Sequence, residues 1–231
     1  MKAVFFDAGG TLVHLDHARI ATALTTVLQR RFVADQLVAA EYDGRAAVEA
    51  YLAAGNLGTD NGRWSIHFRA MLAGLGVSDA EFDLVAPVIR AQHKEQHLWS
   101  STRPGTAEGL EALAQAGWFV ACISNADGHV ADLLEAVGLR RHLTFVIDSG
   151  AVGLEKPDAR IFELALRQAD LRAEDAFYVG DVYPVDVVGA QRAGMVPVLL
   201  DPLGRYGERG CRTARDVPSL CRELVSLRDA A

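Results

Sequence analysis

The sequence predicts an α/β fold, a doubly wound parallel sheet carrying an inserted α-helical domain. Three observations predict it. Short apolar segments (Ala3 to Phe6, Trp118 to Ile123, Phe145 to Ile147 and Ala176 to Val179) read as buried strands, most running straight into small or polar residues. In an open α/β sheet, ligands sit just beyond such strand ends. After Pro104, helical and strand patterns alternate strictly, which argues for a parallel sheet covered on both faces. The stretch between the first and second strands exceeds a hundred residues. That is far too long for an ordinary β–α–β crossover, so a domain must be inserted there.

Taken in order, the first strand delivers Asp7 to its carboxyl end, followed by Gly9, Gly10 and Thr11. The two glycines let the backbone turn tightly and approach a bound group. Asp16 can cap a helix running toward Arg31, and amphipathic stretches cover 33–54, 63–75 and 79–97. Gly55, Gly58 and Gly62 punctuate the middle of this insert, and Gly74-Leu75-Gly76 closes its third helix. The expected division is a core of residues 1–14 and 100–231 and a helical domain of residues 15–99. The second strand leads into Ser124-Asn125, and the third into a Gly-rich loop and Lys156-Pro157-Asp158. The fourth ends in Gly180-Asp181, with Asp186 five residues on.

Composition sets bounds on function. With 231 residues, 50% of them hydrophobic, the chain can bury a sizeable core, or a core and a smaller domain. A net charge of −7 with no basic run excludes nucleic acid and anionic membrane as expected partners. Cys122 falls in a strand, while Cys211 and Cys221 lack metal-ligand spacing, which suits free thiols in a reducing compartment. The N-terminal apolar stretch stops at Asp7, too soon for a signal peptide. No run approaches the ~18 apolar residues of a membrane span. A cytoplasmic protein, monomer or homodimer, is expected.

Asp7-Ala8-Gly9-Gly10-Thr11 resembles the first motif of the haloacid dehalogenase (HAD) superfamily, Asp-x-Asp-Gly-Thr, whose first Asp is the nucleophile. Ser124-Asn125, Lys156-Pro157-Asp158, and Gly180-Asp181 with Asp186 are similar to its second, third and fourth motifs, in the family's order. The resemblance implies a Rossmann-like HAD core with the helical cap of the first subclass. It also implies a small phosphorylated substrate and a Mg²⁺ cofactor held by Asp7, the backbone carbonyl of Gly9, Asp181 and Asp186. Catalysis would fall to Asp7, Thr11, Ser124 and Lys156, and substrate binding to Gly10, Ser124, Asn125 and Lys156.

Elementary electrostatics supports a cation in such a site. Three carboxylates held together repel, and one takes up a proton unless positive charge compensates. Mg²⁺, which takes hard oxygen ligands, and Lys156 together neutralise them. Asp181 and Asp186 have a plainer alternative role as caps of the helix after the fourth strand. Thr11 and Ser124 could bond phosphate oxygens, orient Asp7, or satisfy loose backbone groups. Asn125 could contact substrate or hold its loop. A lysine before proline at a helix start gains nothing from the helix dipole, so Lys156 makes better sense facing an anion.

Gly9 stands where the family's phosphatases carry a second Asp, which protonates the leaving alcohol and then activates water. Losing a general acid–base costs ~10²–10⁴ in rate, or roughly 3–5 kcal/mol. Dehalogenases of the superfamily have Tyr there, need no metal and lack the Gly-Asp pair present here. The phosphonate-cleaving branch needs an early cap lysine, whereas the insert has only Lys94, near its end. Those branches rank third, behind a slow or leaving-group-restricted phosphatase and an impaired member that binds a phosphorylated ligand or a protein. His14, Asp16, His17 and Asp127 are candidate substitutes for the missing acid–base, or ordinary hinge and cap residues. In the insert, Trp64, Phe68, Met71, Leu72 and Leu75 repeat at helical spacing and read as core. Arg63 and His67 fall on the other face, solvated or reaching a substrate. His93 and His97 have i, i+4 spacing but not the metalloprotease order, so a solvated face is expected.

Overall fold

The computed structural model describes residues 1–56 and 60–229; Gly58, expected to punctuate the insert, lies outside them. The chain divides into two compact units, Met1–His14 with Trp99–Ala231, and Leu15–Leu98.

The Leu15–Leu98 unit contains the helices α1 (His17–Leu28), α2 (Ala34–Ala53), α3 (Asp60–Ala73) and α4 (Asp79–Glu95). Local chemistry sets their ends. The Asp16 carboxylate accepts from the Arg19 N–H at 3.0 Å and caps α1. Ser78 and Glu81 form a reciprocal capping box at the start of α4. Phe68, Met71 and Leu72 of α3 are buried, as are Leu24, Leu37 and Val85, while Trp64 and Leu75 are half-buried, so most of the helical repeat in this segment marks core.

The other unit is built on a parallel six-stranded sheet with spatial order β3-β2-β1-β4-β5-β6. The strands are β1 (Ala3–Phe6), β2 (Phe119–Ser124), β3 (Val146–Asp148), β4 (Ala176–Gly180), β5 (Val196–Leu200) and β6 (Arg212–Ala214). Its helices are α5 (Thr106–Gln115), α6 (Val130–Ala136), α7 (Ser149–Val152), α8 (Ala159–Ala169), α9 (Val188–Arg192) and α10 (Val217–Asp229). β1 lies between β2 and β4, with Phe6 opposite both Cys122 and Val179. Strand side chains alternate between two cores. Val4, Phe6, Val120 and Val179 pack with Leu113 of α5 and Leu224 of α10. Phe5, Ile123 and Tyr178 pack with Ile161, Phe162 and Ala165 of α8. Both faces are covered, so β1 is apolar at every position, as a strand inside a parallel sheet must be.

Two strands were not expected. β5 follows a readable signal, the apolar run Met195–Leu200 after Gly194. β6 has only Arg-Thr-Ala and no hydrophobic period, so pairing with β5 defines it. Among the described residues, no helix is long and apolar enough to cross a membrane, and all three cysteines are free thiols.

Candidate active site

The sheet order diverges at β1: β2 and β3 lie on one side, β4 to β6 on the other. The carboxyl ends at such a switch point form the ligand crevice of α/β sheets. Asp7 leaves β1 there, its N–H donating to the Val179 carbonyl at 2.8 Å. Asp181 leaves the neighbouring β4, and a single π-helical turn, Tyr183–Val187, returns Asp186 over the strand end. Asp186 Oδ2 accepts from the N–H groups of Asp181 at 3.1 Å and Val182 at 2.9 Å. Asp7, Asp181 and Asp186 are all buried, and one carboxylate oxygen from each lies within 4.8 Å of the others.

Glycine permits this approach at two positions. A Cβ on Gly180 would overlap the Asp186 carboxylate, and one on Gly10 would overlap that of Asp181. Gly10 also has φ +78°, a conformation that L side chains rarely adopt. Gly9 differs from the expectation set for both glycines. Its φ is not in the left-handed region, and an added Cβ would meet only the Trp99 indole edge, at 3.5 Å and 3.6 Å. The backbone does not require glycine there.

Lys156 lies among the carboxylates, 2% exposed. Its Nζ donates to Asp7 Oδ1 at 2.7 Å, Asp186 Oδ1 at 2.8 Å and the Tyr178 hydroxyl at 2.8 Å. An ammonium has three hydrogens, and all are committed. Lys156 sits in the loop ahead of α8, two residues before the cap Asp158, rather than at the helix start expected. Burial pushes the Asp7 carboxyl up to about 6 against the pull of Lys156, with the Asp186 charge adding to the rise. Burial alone would lower Lys156, but Asp186 and Asp7 outweigh it and hold the ammonium above its ordinary range. Three carboxylates against one ammonium is a site short of positive charge. Its donors are all carboxylate oxygens, which fits a hard cation.

The surrounding loops are fixed by side chains. Asn125 donates to the Lys156 carbonyl at 2.9 Å and accepts from the Lys156 N–H at 2.8 Å. Of the two roles left open for Asn125, holding the loop is the one with bonds to account for it. Asp148 accepts from Gly128, Gly150 and Val130 N–H groups at 2.9–3.0 Å. The Ser149 hydroxyl meets both the N–H and the carbonyl of Ala126 at 3.0 Å. Thr11 is buried, and its Oγ1 has no hydrogen-bond partner among the described residues. Ser124 is buried at the end of β2, paired with Asp148 in register.

The structure brings Asp7, Lys156, Asp181 and Asp186 together and sets Gly10 and Asn125 against them. It sorts the candidate acid–base substitutes. Asp16 is spent on capping α1, and His17 Nε2 lies 2.9 Å from the buried Glu41. His14 is buried with its backbone paired both ways to Ser101, while Asp127 is exposed. In the helical unit, His67 is half-buried and packs against Gly44, and burial lowers its pKa to about 4 despite Glu41. His93 Nδ1 accepts from the Leu98 N–H at 3.2 Å and ends α4, so it too has a structural partner. Three participants escaped the sequence reading. Tyr178 looked like an ordinary strand aromatic, and Asp148 and Ser149 were hidden because the third strand runs one residue further than its apolar stretch.

Residues 1–194 match the family model of haloacid dehalogenase-like hydrolases. The chain belongs to that family. Among HAD-like relatives, haloacid dehalogenase-like hydrolase domain-containing protein 3 of Bos taurus is 34% identical over 66% of this chain and 62% of its own length. Glyceraldehyde 3-phosphate phosphatase of Methanopyrus kandleri is 31% identical over 66% of this chain and 65% of its own. The chain thus spans slightly less than two thirds of these curated relatives. The magnesium-bound HAD-hydrolase YfnB of Bacillus subtilis shares the fold with TM-score 0.69 at 18% identity, over 96% of this chain and 98% of that one.

Proposed function

We propose that this HAD-like hydrolase is a Mg²⁺-dependent phosphatase acting on a small phosphorylated metabolite, with Asp7 as nucleophile. The observation that carries the reading is the convergence of Asp7, Asp181 and Asp186 on one buried point beside Lys156. The phosphatase name of the archaeal relative and the magnesium of the Bacillus structure support it. Asp7, Asp181, Asp186 and the Gly9 carbonyl would hold the ion, with the helical unit acting as cap. Bound there, Mg²⁺ would supply the missing positive charge and polarise the phosphoryl oxygens.

Lys156 holds Asp7 Oδ1 and so fixes the plane of the nucleophile. A carboxylate oxygen of Asp7 forms a bond to phosphorus as the bond to the leaving oxygen breaks, its electron pair departing with the alcohol. The buried Thr11 hydroxyl and Ser124 receive the transferred oxygens, while the Gly10 N–H is held by the Val13 carbonyl at 2.7 Å. Water then attacks the aspartyl-phosphate and releases phosphate and free Asp7. Both steps need a proton moved beside position 9, where no side chain is present to move it. Leaving groups that depart readily as anions, phenolates from aryl phosphates and carboxylates from acyl phosphates, should therefore turn over fastest.

Gly9 favours a second reading, an impaired member that binds a phosphorylated ligand or a protein without turning it over. Carbon–phosphorus or carbon–halogen hydrolysis ranks third: Gly180-Asp181 argues against a dehalogenase, and Lys94, near the end of the insert, does not match the early cap lysine of the phosphonate-cleaving branch. The proposed setting is cytoplasmic, as monomer or homodimer, with no nucleic-acid or membrane partner. Phosphate release from aryl, acyl and alkyl phosphates, with and without Mg²⁺ and against Asp7→Asn, tests the proposal. Metal-dependent turnover lost in the variant supports a phosphatase; no turnover on any substrate shifts the weight to the binding reading.

A further inference from the structure

The third partner of Lys156 is a residue that the family's motifs do not name. Tyr178 lies inside β4, its ring edge-to-face with Phe162 at 4.8 Å. Its hydroxyl is 2.8 Å from Lys156 Nζ, 3.2 Å from Asp186 Oδ1 and 3.1 Å from the Ile123 carbonyl. Donor bookkeeping fixes the directions. An ammonium can only donate, so the tyrosine oxygen accepts from Lys156. The single tyrosine hydrogen is left for Asp186 or for the Ile123 carbonyl of β2, on the far side of β1.

We propose that Tyr178 is a positioning residue: its hydroxyl takes the third ammonium hydrogen of Lys156 and locks the amine between Asp7 and Asp186. The anchor is stiff, because Tyr178 is fully buried within β4, in register with Phe5 of β1 and Pro197 of β5. A lysine head on a flexible four-carbon stem has no such stiffness of its own. With two carboxylates alone, Nζ can swing about the line joining them, and the third contact removes that freedom. The same hydroxyl reaches Asp186, so one tyrosine registers both the amine and a carboxylate of the acidic cluster.

The kinetic arm of the test rests on the phosphatase reading, and a second arm does not. Tyr178→Phe keeps the ring and removes the hydroxyl, while Phe162→Leu loosens the packing and leaves the hydroxyl in place. Tyr178→Phe is expected to lower kcat about 10-fold with KM within about threefold, since misplacing a catalytic group harms the chemical step more than binding. Phe162→Leu, compared well below both melting temperatures, is expected to keep kcat within about threefold. Independently of any substrate, amine-selective labelling followed by peptide mass spectrometry should show Lys156 reacting at least about tenfold faster in Tyr178→Phe only. Unchanged labelling and kcat in Tyr178→Phe would overturn the proposal. So would equal changes in the two variants, which would make Tyr178 mere packing. A wild type without turnover, but with labelling raised in Tyr178→Phe alone, sinks the phosphatase reading and leaves the positioning role standing.

Discussion

Asn125 grips the main chain of Lys156 from both sides, accepting from its N–H at 2.8 Å and donating to its carbonyl at 2.9 Å. One amide side chain thereby joins the end of β2 to the loop that carries the buried amine. Asn125→Ala removes both bonds at once. At roughly 0.5–1.5 kcal/mol for each net hydrogen bond, the loss of stability should be about 1–3 kcal/mol. Urea unfolding measures it, and a change below 0.5 kcal/mol would show the clamp to be ornamental.

Gly9 has ordinary backbone geometry and van der Waals room for a Cβ beside Trp99. Gly9→Asp should therefore fold and restore the absent acid–base. Turnover of alkyl phosphates is expected to rise by on the order of 10², with a much smaller gain on aryl phosphates. A uniform change across leaving groups in steady-state assays would mean that proton transfer at position 9 does not limit the rate.

The second half-reaction of the proposed cycle lacks the same group. With an aryl phosphate, rapid-quench measurements should show a burst of phenol close to the enzyme concentration, then a slow steady phase as phospho-Asp7 hydrolyses. A linear time course from the first turnover would place the slow step before Asp7 is phosphorylated.

Without metal, Asp7 is a stability liability with a defined pH window. Its folded pKa is raised by burial from 3.8 to about 6. A raised carboxyl contributes fully below the unfolded value, and that contribution is lost as pH climbs through the folded one. Asp7→Asn escapes the penalty, so in EDTA at pH 7.5 it should be the more stable protein by on the order of 2–3 kcal/mol. The gap should close below pH 4, and Mg²⁺ should narrow it at pH 7.5. Thermal melts of both proteins under these three conditions decide it; an equal gap at both pH values would reject the assignment.

What could be read in advance follows from how local each signal is. Ala3–Phe6, the stretch ending near Ser124 and the stretch ending in Gly180-Asp181 announced themselves because a strand buried on both faces needs an unbroken apolar run. Asp16 was legible as a cap because capping is decided within one helical turn. Tyr178 was not: a strand aromatic bonding through its hydroxyl has the same sequence appearance as one that does not, and only register places it under Lys156. The half-burial of His67 was hidden for a related reason, since Gly44 on another helix opens the space it fills. The use of Gly9 was misjudged because adjacent glycines look alike, although only Gly10 has positive φ and lies against a carboxylate.

The central place of β1 also has a temporal side. Translation delivers Ala3–Phe6 before either of its neighbours, which begin at Phe119 and Ala176. The strand with the most apolar sequence must therefore wait, with both edges unsatisfied, while well over a hundred further residues are made. Pairings so distant along the chain are slow to form and expose sticky intermediates. Asp7 acquires its lysine and its fellow aspartates only once Asp186 has emerged. Enzyme competence is thus gated by synthesis of the fourth strand and the turn behind it, and nascent chains stalled before that point are the ones expected to need a chaperone.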